Sequence, residues 1–114
     1  MAKYFLTERA AIHLRDIYAY SVDTWGEDIA DAYMAKLIKR LQQIAQAPDR
    51  GIQRQHRSSP FLMAPTEKHF AVYKQVEQGI IVAAMLHGTR DIENIIARIT
   101  PALTEEICKI EGGI

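Results

Sequence analysis

The sequence predicts an α+β domain: an N-terminal strand and an antiparallel two-helix hairpin packed on an antiparallel β-sheet, then a C-terminal helical segment. Three observations lead there. Two stretches with apolar residues every three or four positions meet at Gly26, with almost no loop between them. Two β-branched and aromatic runs, Phe70 to Gln75 and Ile80 to His87, flank a connector that ends in Gly79. A last amphipathic stretch begins at Ile92.

Lys3 to Leu6 sets Tyr4 and Leu6 on one face and Phe5 on the other, as a strand does. Thr7 follows as an N-cap, with Glu8 in the first turn, where the helix dipole favours an acid. Leu14, Ile17, Tyr18, Ser21, Val22 and Trp25 form one helix face, and Gly26 is a natural stop. Glu27 and Asp28 open a second helix whose stripe is Ala30, Tyr33, Leu37, Leu41 and Ile44, ended by Pro48 and Gly51. Helices joined this tightly must fold back on each other.

Asp49 to Lys68 changes character, with Gly51, Ser58, Ser59, Pro60 and Pro65, and reads as a loop with a short strand around Phe61 to Ala64. The run Ile80 to Leu86 sets Ile80, Val82, Ala84 and Leu86 against Ile81, Ala83 and Met85, the pattern of a central strand covered on both sides. Asp91 is placed to cap a helix carrying Ile92, Ile95, Ile96 and Ile99. Thr100-Pro101 is expected to interrupt that helix before a further short one with Leu103, Ile107 and Ile110. Residues 1–114 read as one domain, without repeat or linker.

Charge is balanced in total, with 14 basic and 14 acidic side chains, but not along the chain. Residues 50–90 hold six basic side chains, two acidic ones and three of the four histidines, whereas residues 91–114 hold two basic and five acidic. A duplex-binding protein is expected to be basic overall, because neutralising phosphates drives its affinity. Here the positive character is local. No apolar run approaches the ~18 residues of a membrane span, and Lys3, Glu8 and Arg9 stand where a signal peptide needs an apolar core. The expected location is the cytoplasm.

The four histidines form no close pair on one helix and have no cysteine companion, so no metal site and no cofactor are expected. Glycine-rich phosphate loops and serine elbows are absent. Cys108, the single cysteine, is expected to be a small buried or half-buried thiol. One polar cluster remains, His87-Gly88-Thr89-Arg90-Asp91 at the end of the central strand, with His69 and Lys74 on the strand before it. Two readings stand. His87 can move a proton and Arg90 can hold a phosphate; alternatively Arg90 pairs with Asp91 or Glu93 and His87 merely ends a strand. No acid–base partner for His87 is visible. Trp25, Tyr18 and Tyr33 sit on apolar stripes and read most simply as core. Yet Tyr4, Ile12, Tyr20, Ile29 and Ile38 leave the hairpin more apolar surface than one small sheet covers, which points to a partner.

The strings Tyr4-x-Leu6-Thr7-x-x-Ala10, Leu14-x-x-Ile17-x-x-Tyr20, Trp25-Gly26, Ala30-x-x-Tyr33-x-x-x-Leu37 and Pro48-x-x-Gly51 resemble the start of ParE-type toxins of the RelE/ParE superfamily. His69-Phe70-x-x-Tyr73, the Gly79 turn and Leu86-His87-Gly88-x-Arg90-Asp91 resemble the second half, so the likeness spans about residues 3–98. The segment after Thr100 is longer than the family pattern, so 101–114 reads as a C-terminal extension.

The resemblance implies the toxin of a type II toxin–antitoxin module of the plasmid-stabilisation kind. Such a toxin inhibits DNA gyrase by binding, without catalytic residues. It is neutralised in a hetero-oligomer by a ParD-like antitoxin, whose ribbon-helix-helix part alone contacts DNA. On that reading Arg57, His69, Lys74, His87 and Arg90 face the target, while Tyr18, Trp25, Tyr33 and Leu37 face the antitoxin. The RelE branch implies a different activity, a ribosome-dependent mRNA endoribonuclease with His87 as acid or base. The neutral net charge and the lack of a paired acid and base favour the gyrase branch. A third alternative is an inactive toxin that serves as co-repressor with its antitoxin.

Overall fold

The computed structural model describes residues 2–48, 52–53, 61–88 and 92–113. Strand β1 (Lys3–Leu6) leads into helices α1 (Glu8–Trp25) and α2 (Glu27–Gln46). The short β2 (Ile52–Gln53) precedes β3 (Leu62–Thr66), β4 (His69–Val76), β5 (Gly79–His87) and helix α3 (Ile92–Glu111). The strands form one sheet in the order β1-β5-β4-β3-β2. Every pairing is antiparallel except β1 with β5, where Tyr4 lies opposite Ile80 and Leu6 opposite Val82. The predicted fold class holds, with a mixed sheet in place of a purely antiparallel one. The two antiparallel helices return the chain to the sheet, and β1 then lies alongside the central strand in the same direction.

Thr7 caps α1 as its residue type predicts: its Oγ1 accepts the Ala10 N–H at 3.1 Å. Gly26 joins the two helices by serving both. At φ 94°, where a side chain is disfavoured, its N–H donates to the Val22 carbonyl at 2.9 Å and its own carbonyl accepts from Ala30 at 3.1 Å. Gly79 opens β5 against β1 so closely that an added Cβ would collide with the Lys3 carbonyl.

Two apolar layers sandwich the sheet. Leu14, Leu37, Leu41 and Ile44 of the hairpin meet Ala71, Tyr73, Ile80, Val82 and Met85 on one face. Ile96, Leu103 and Ile107 of α3 meet Met63, Val72, Ile81, Ala83 and Ala84 on the other. β5 is buried from Gly79 through Met85, as expected of a strand covered on both sides.

Strict alternation along β5 does not hold. Val72 pairs with Ala84 while Tyr73 pairs with Val82, so Ala83 is an extra residue, a β-bulge. Ala83 and Ala84 consequently both face α3, and every later side chain changes face: Met85 turns to the hairpin and Leu86 to α3.

The expected break at Thr100-Pro101 is also corrected: α3 runs unbroken with Pro101 inside it. A proline in a helix interior costs on the order of 3 kcal/mol. Beyond it, Leu103 and Ile107 are at most 1% exposed, and burying each contributes roughly 1.5–3 kcal/mol. The continued apolar stripe offsets the lost hydrogen bond. Pro101 itself faces solvent, and the Thr100 and Thr104 hydroxyls donate to the carbonyls of Ile96 at 2.6 Å and Thr100 at 2.9 Å. Cys108, expected to be partly buried, is exposed.

Candidate functional site

The bulge shapes one end of the sheet. Thr7 and His13, both from the start of α1, engage the β5 backbone around it. Thr7 N–H donates to the Val82 carbonyl at 3.1 Å and Thr7 Oγ1 to the Ala83 carbonyl at 2.9 Å. Met85 N–H donates to His13 Nδ1 at 3.1 Å. A protonated Nδ1 cannot accept, so His13 must be neutral. Burial, and then the nearby Arg9 charge, hold its pKa below the ordinary value, against weaker opposite pulls from Asp16 and Glu106.

Past the bulge, His87 comes out on the hairpin face, directly across from His69 on β4. The two rings stand edge to face, 5.1 Å between centres. His69 Nδ1 lies 2.9 Å from the Tyr33 hydroxyl of α2. That hydroxyl also accepts the Lys68 N–H at 3.2 Å, which leaves its proton free to go to His69 Nδ1. With the hydroxyl donating, neutral His69 carries its proton on Nε2; with that proton on Nδ1, the imidazole donates instead. Burial, then the neighbouring His87, lowers the His69 pKa. Burial raises that of Tyr33, keeping it a phenol. Lys68 belongs to the β3–β4 turn, where Glu67 adopts the left-handed φ of 59°.

These groups floor a cleft of about 530 Å³ whose wall is the hairpin: Ile17, Tyr20, Ser21, Trp25 and Ile29, with Asp16 at its edge. Trp25 is 50% exposed, Ile29 55% and Tyr20 65%, so the wall is a contiguous apolar surface open to solvent. Tyr20 meets Trp25 edge-on with 6.0 Å between ring centres, and the Lys68 ammonium lies 5.7 Å from the centre of the Trp25 ring. An open apolar wall beside a polar floor suits recognition of another molecule.

The site residues expected from the sequence do not all come together. Trp25 and Tyr33, assigned to the antitoxin, and His69 and His87, assigned to the target, share this single cleft. Lys74 does not join them; it lies roughly 16 Å along β4 at ~3.3 Å per residue, paired with Glu111 of α3 at 2.6 Å. Tyr18 donates to Asp31 Oδ1 at 2.7 Å, linking α1 to α2 outside the cleft. Leu37 is corrected: it is fully buried in the hairpin–sheet core and presents no surface to a partner. Arg57 and Arg90, like the Asp91 cap, lie outside the described residues.

Trp25 is likewise no core residue, despite its place at the end of an apolar stripe. Lys68 and His13 were not singled out from the sequence. Lys68 carried the signal of a turn lysine next to His69, whereas His13 carried none, because its partner is a backbone N–H 72 residues away. Among the described residues no group of three or more His, Cys, Asp or Glu side chains is placed to hold a metal ion, and no helix is long and apolar enough to cross a membrane.

Comparison with known proteins agrees with this architecture. The family model for the ParE toxin of the type II toxin–antitoxin system parDE matches residues 4–92. A solved chain of the chromosomal ParDE toxin–antitoxin system from P. aeruginosa superposes with a TM-score of 0.65 at 18% identity, covering 76% of this chain and 96% of that one. At that identity the likeness shows the fold. No curated protein sequence matches the chain. With the family model spanning most of its length, the chain belongs to the ParE toxin family of type II toxin–antitoxin systems.

Proposed function

We propose that the protein acts by binding: it inhibits DNA gyrase and is neutralised by a ParD-like, ribbon-helix-helix antitoxin that covers the Trp25 cleft. The observation that carries the antitoxin half is the open apolar wall of Tyr20, Trp25 and Ile29, exposed beside a polar floor as at a protein interaction site. Family membership supports the gyrase half. The assigned Arg57 and Arg90 remain candidates for target contact on sequence grounds.

A supercoiling assay with purified gyrase tests this reading. Added protein should stop supercoiling, and pre-mixing it with its antitoxin should restore the reaction. Full supercoiling at stoichiometric excess contradicts it.

One observation favours a second reading, the endoribonuclease of the RelE branch. His87, which had no visible partner in the sequence, has a second imidazole directly across the strand pair. Cuts in mRNA on translating ribosomes, lost in a His87→Phe variant, would support it over gyrase inhibition.

A further inference from the structure

The cleft has a specific chemistry beyond being apolar. Its floor sets Lys68, His69 and His87 together beside the aromatic wall, and among the described residues its one carboxylate is Asp16. Among the described residues no carboxylate pairs with Lys68, whose ammonium rests near the Trp25 ring. The floor therefore offers more positive or proton-accepting groups than negative ones. Resting on the antitoxin reading above, we propose that the cleft takes an antitoxin segment in which a carboxylate stands next to bulky apolar side chains, and that the His69–His87 pair takes up a proton as that carboxylate docks.

The apolar side chains cover Trp25 and Ile29, removing them from water. The carboxylate lies between the Lys68 ammonium and the exposed His87 ring, as a charge-assisted contact. In the free chain His69 lies against the Tyr33 hydroxyl, and burial, then the neighbouring His87, disfavours its protonation. A docked negative charge reverses that preference. Edge-to-face rings 5.1 Å apart hold one proton more easily than two, because like charges repel. Among the described residues, the other titratable groups around the pair are Tyr33 from α2, Asp16 and Tyr20 from α1, Lys68 of the β3–β4 turn, and Glu67, whose charge acts on Tyr33. Tyr33 stays protonated, so the imidazoles are the groups left to change charge near neutrality.

The test uses 3-phenylpropionate and its amide, which share a shape and differ in charge. Trp25 is the single tryptophan of the chain, so its fluorescence reports binding in the cleft. At about pH 6 the acid should bind on the order of tenfold more tightly than the amide. The acid's affinity should fall several-fold by about pH 8 while the amide's stays level. His87→Phe should abolish the pH dependence, and Lys68→Met should bring acid and amide together. Equal affinities, a flat pH profile for the acid, or no acid binding at about 10 mM would overturn the proposal. Full-length antitoxin separates this inference from the reading beneath it. If the acid behaves as expected but the antitoxin binds without disturbing Trp25, the cleft chemistry holds and the antitoxin's location is wrong. If the antitoxin seats on Trp25 with pH-independent affinity and the probes do not differ, the docking reading holds and this inference fails.

Discussion

His87 stands across from His69 on the hairpin face of the sheet because Ala83 bulges out of β5. Without the extra residue, strict alternation would place His87 with Ile81, on the α3 side. One inserted position thus converts a strand-end histidine into part of the cleft, and α1 holds the bulge in place through Thr7 and His13.

Thr7 is 1% exposed, and its hydroxyl both donates to Ala83 and accepts from Ala10. Thr7→Val keeps the shape and removes both bonds. It should destabilise the protein by roughly 1–3 kcal/mol in urea unfolding, and Thr7→Ser should recover most of that loss. The same variant should move the His87 ring resonances in an NMR spectrum.

His13 and His69 both have pKa values held below the ordinary 6.5, mainly by burial. A lowered histidine pKa means the unfolded chain binds protons more readily than the folded one. The stability from keeping these rings neutral is present above pH 6.5 and lost as pH falls through the folded values. Urea midpoints should therefore drop on acidification below that value. His13→Asn, whose Oδ1 can still accept from Met85 but does not titrate, should flatten the drop.

Among the described residues, two ion pairs and an apolar stripe hold α3 to the body, and their magnitudes differ. Arg9 meets Glu106 at 2.9 Å and Lys74 meets Glu111 at 2.6 Å, all partly exposed. Such pairs contribute about 0.2–1 kcal/mol each. Leu103 is fully buried against the sheet. Leu103→Ala should cost on the order of 2–5 kcal/mol in a denaturant titration, whereas Glu106→Ala and Glu111→Ala should each cost under about 1 kcal/mol.

Trp25 and Leu37 sit on the same hairpin but should respond oppositely to truncation. Leu37→Ala opens the core and should cost roughly 2–5 kcal/mol of stability. Trp25→Ala removes a half-exposed ring and should leave the melting temperature nearly unchanged, while weakening antitoxin binding on the order of 30-fold or more, as a central aromatic anchor does. Calorimetric titration and thermal melts read the two effects separately.

Much of this architecture was legible in residue pattern alone. Thr7, Gly26 and the three-four stripes marked the helical hairpin, and an apolar run on both faces marked β5 as central. What escaped was non-local. The Ala83 bulge has no signature in a run of small apolar residues, because Ala83 and Ala84 fit either face. Pro101 read as a stop because local chemistry says so, and only the burial of Leu103 and Ile107 overrides it. At the site, His69 and His87 stand out in the sequence, but their meeting with Trp25 and Tyr33 in one cleft depends on the fold and has no local signal. Leu37 shares its helical stripe with Tyr33, yet four positions further along it has passed under the sheet.

The most direct test follows the single tryptophan during complex formation. When the antitoxin is added, Trp25 emission should shift to the blue and its quenching by acrylamide should fall, in step with the complex appearing by size exclusion. A complex that forms while Trp25 emission and quenching stay those of the free chain would contradict the cleft as the docking site.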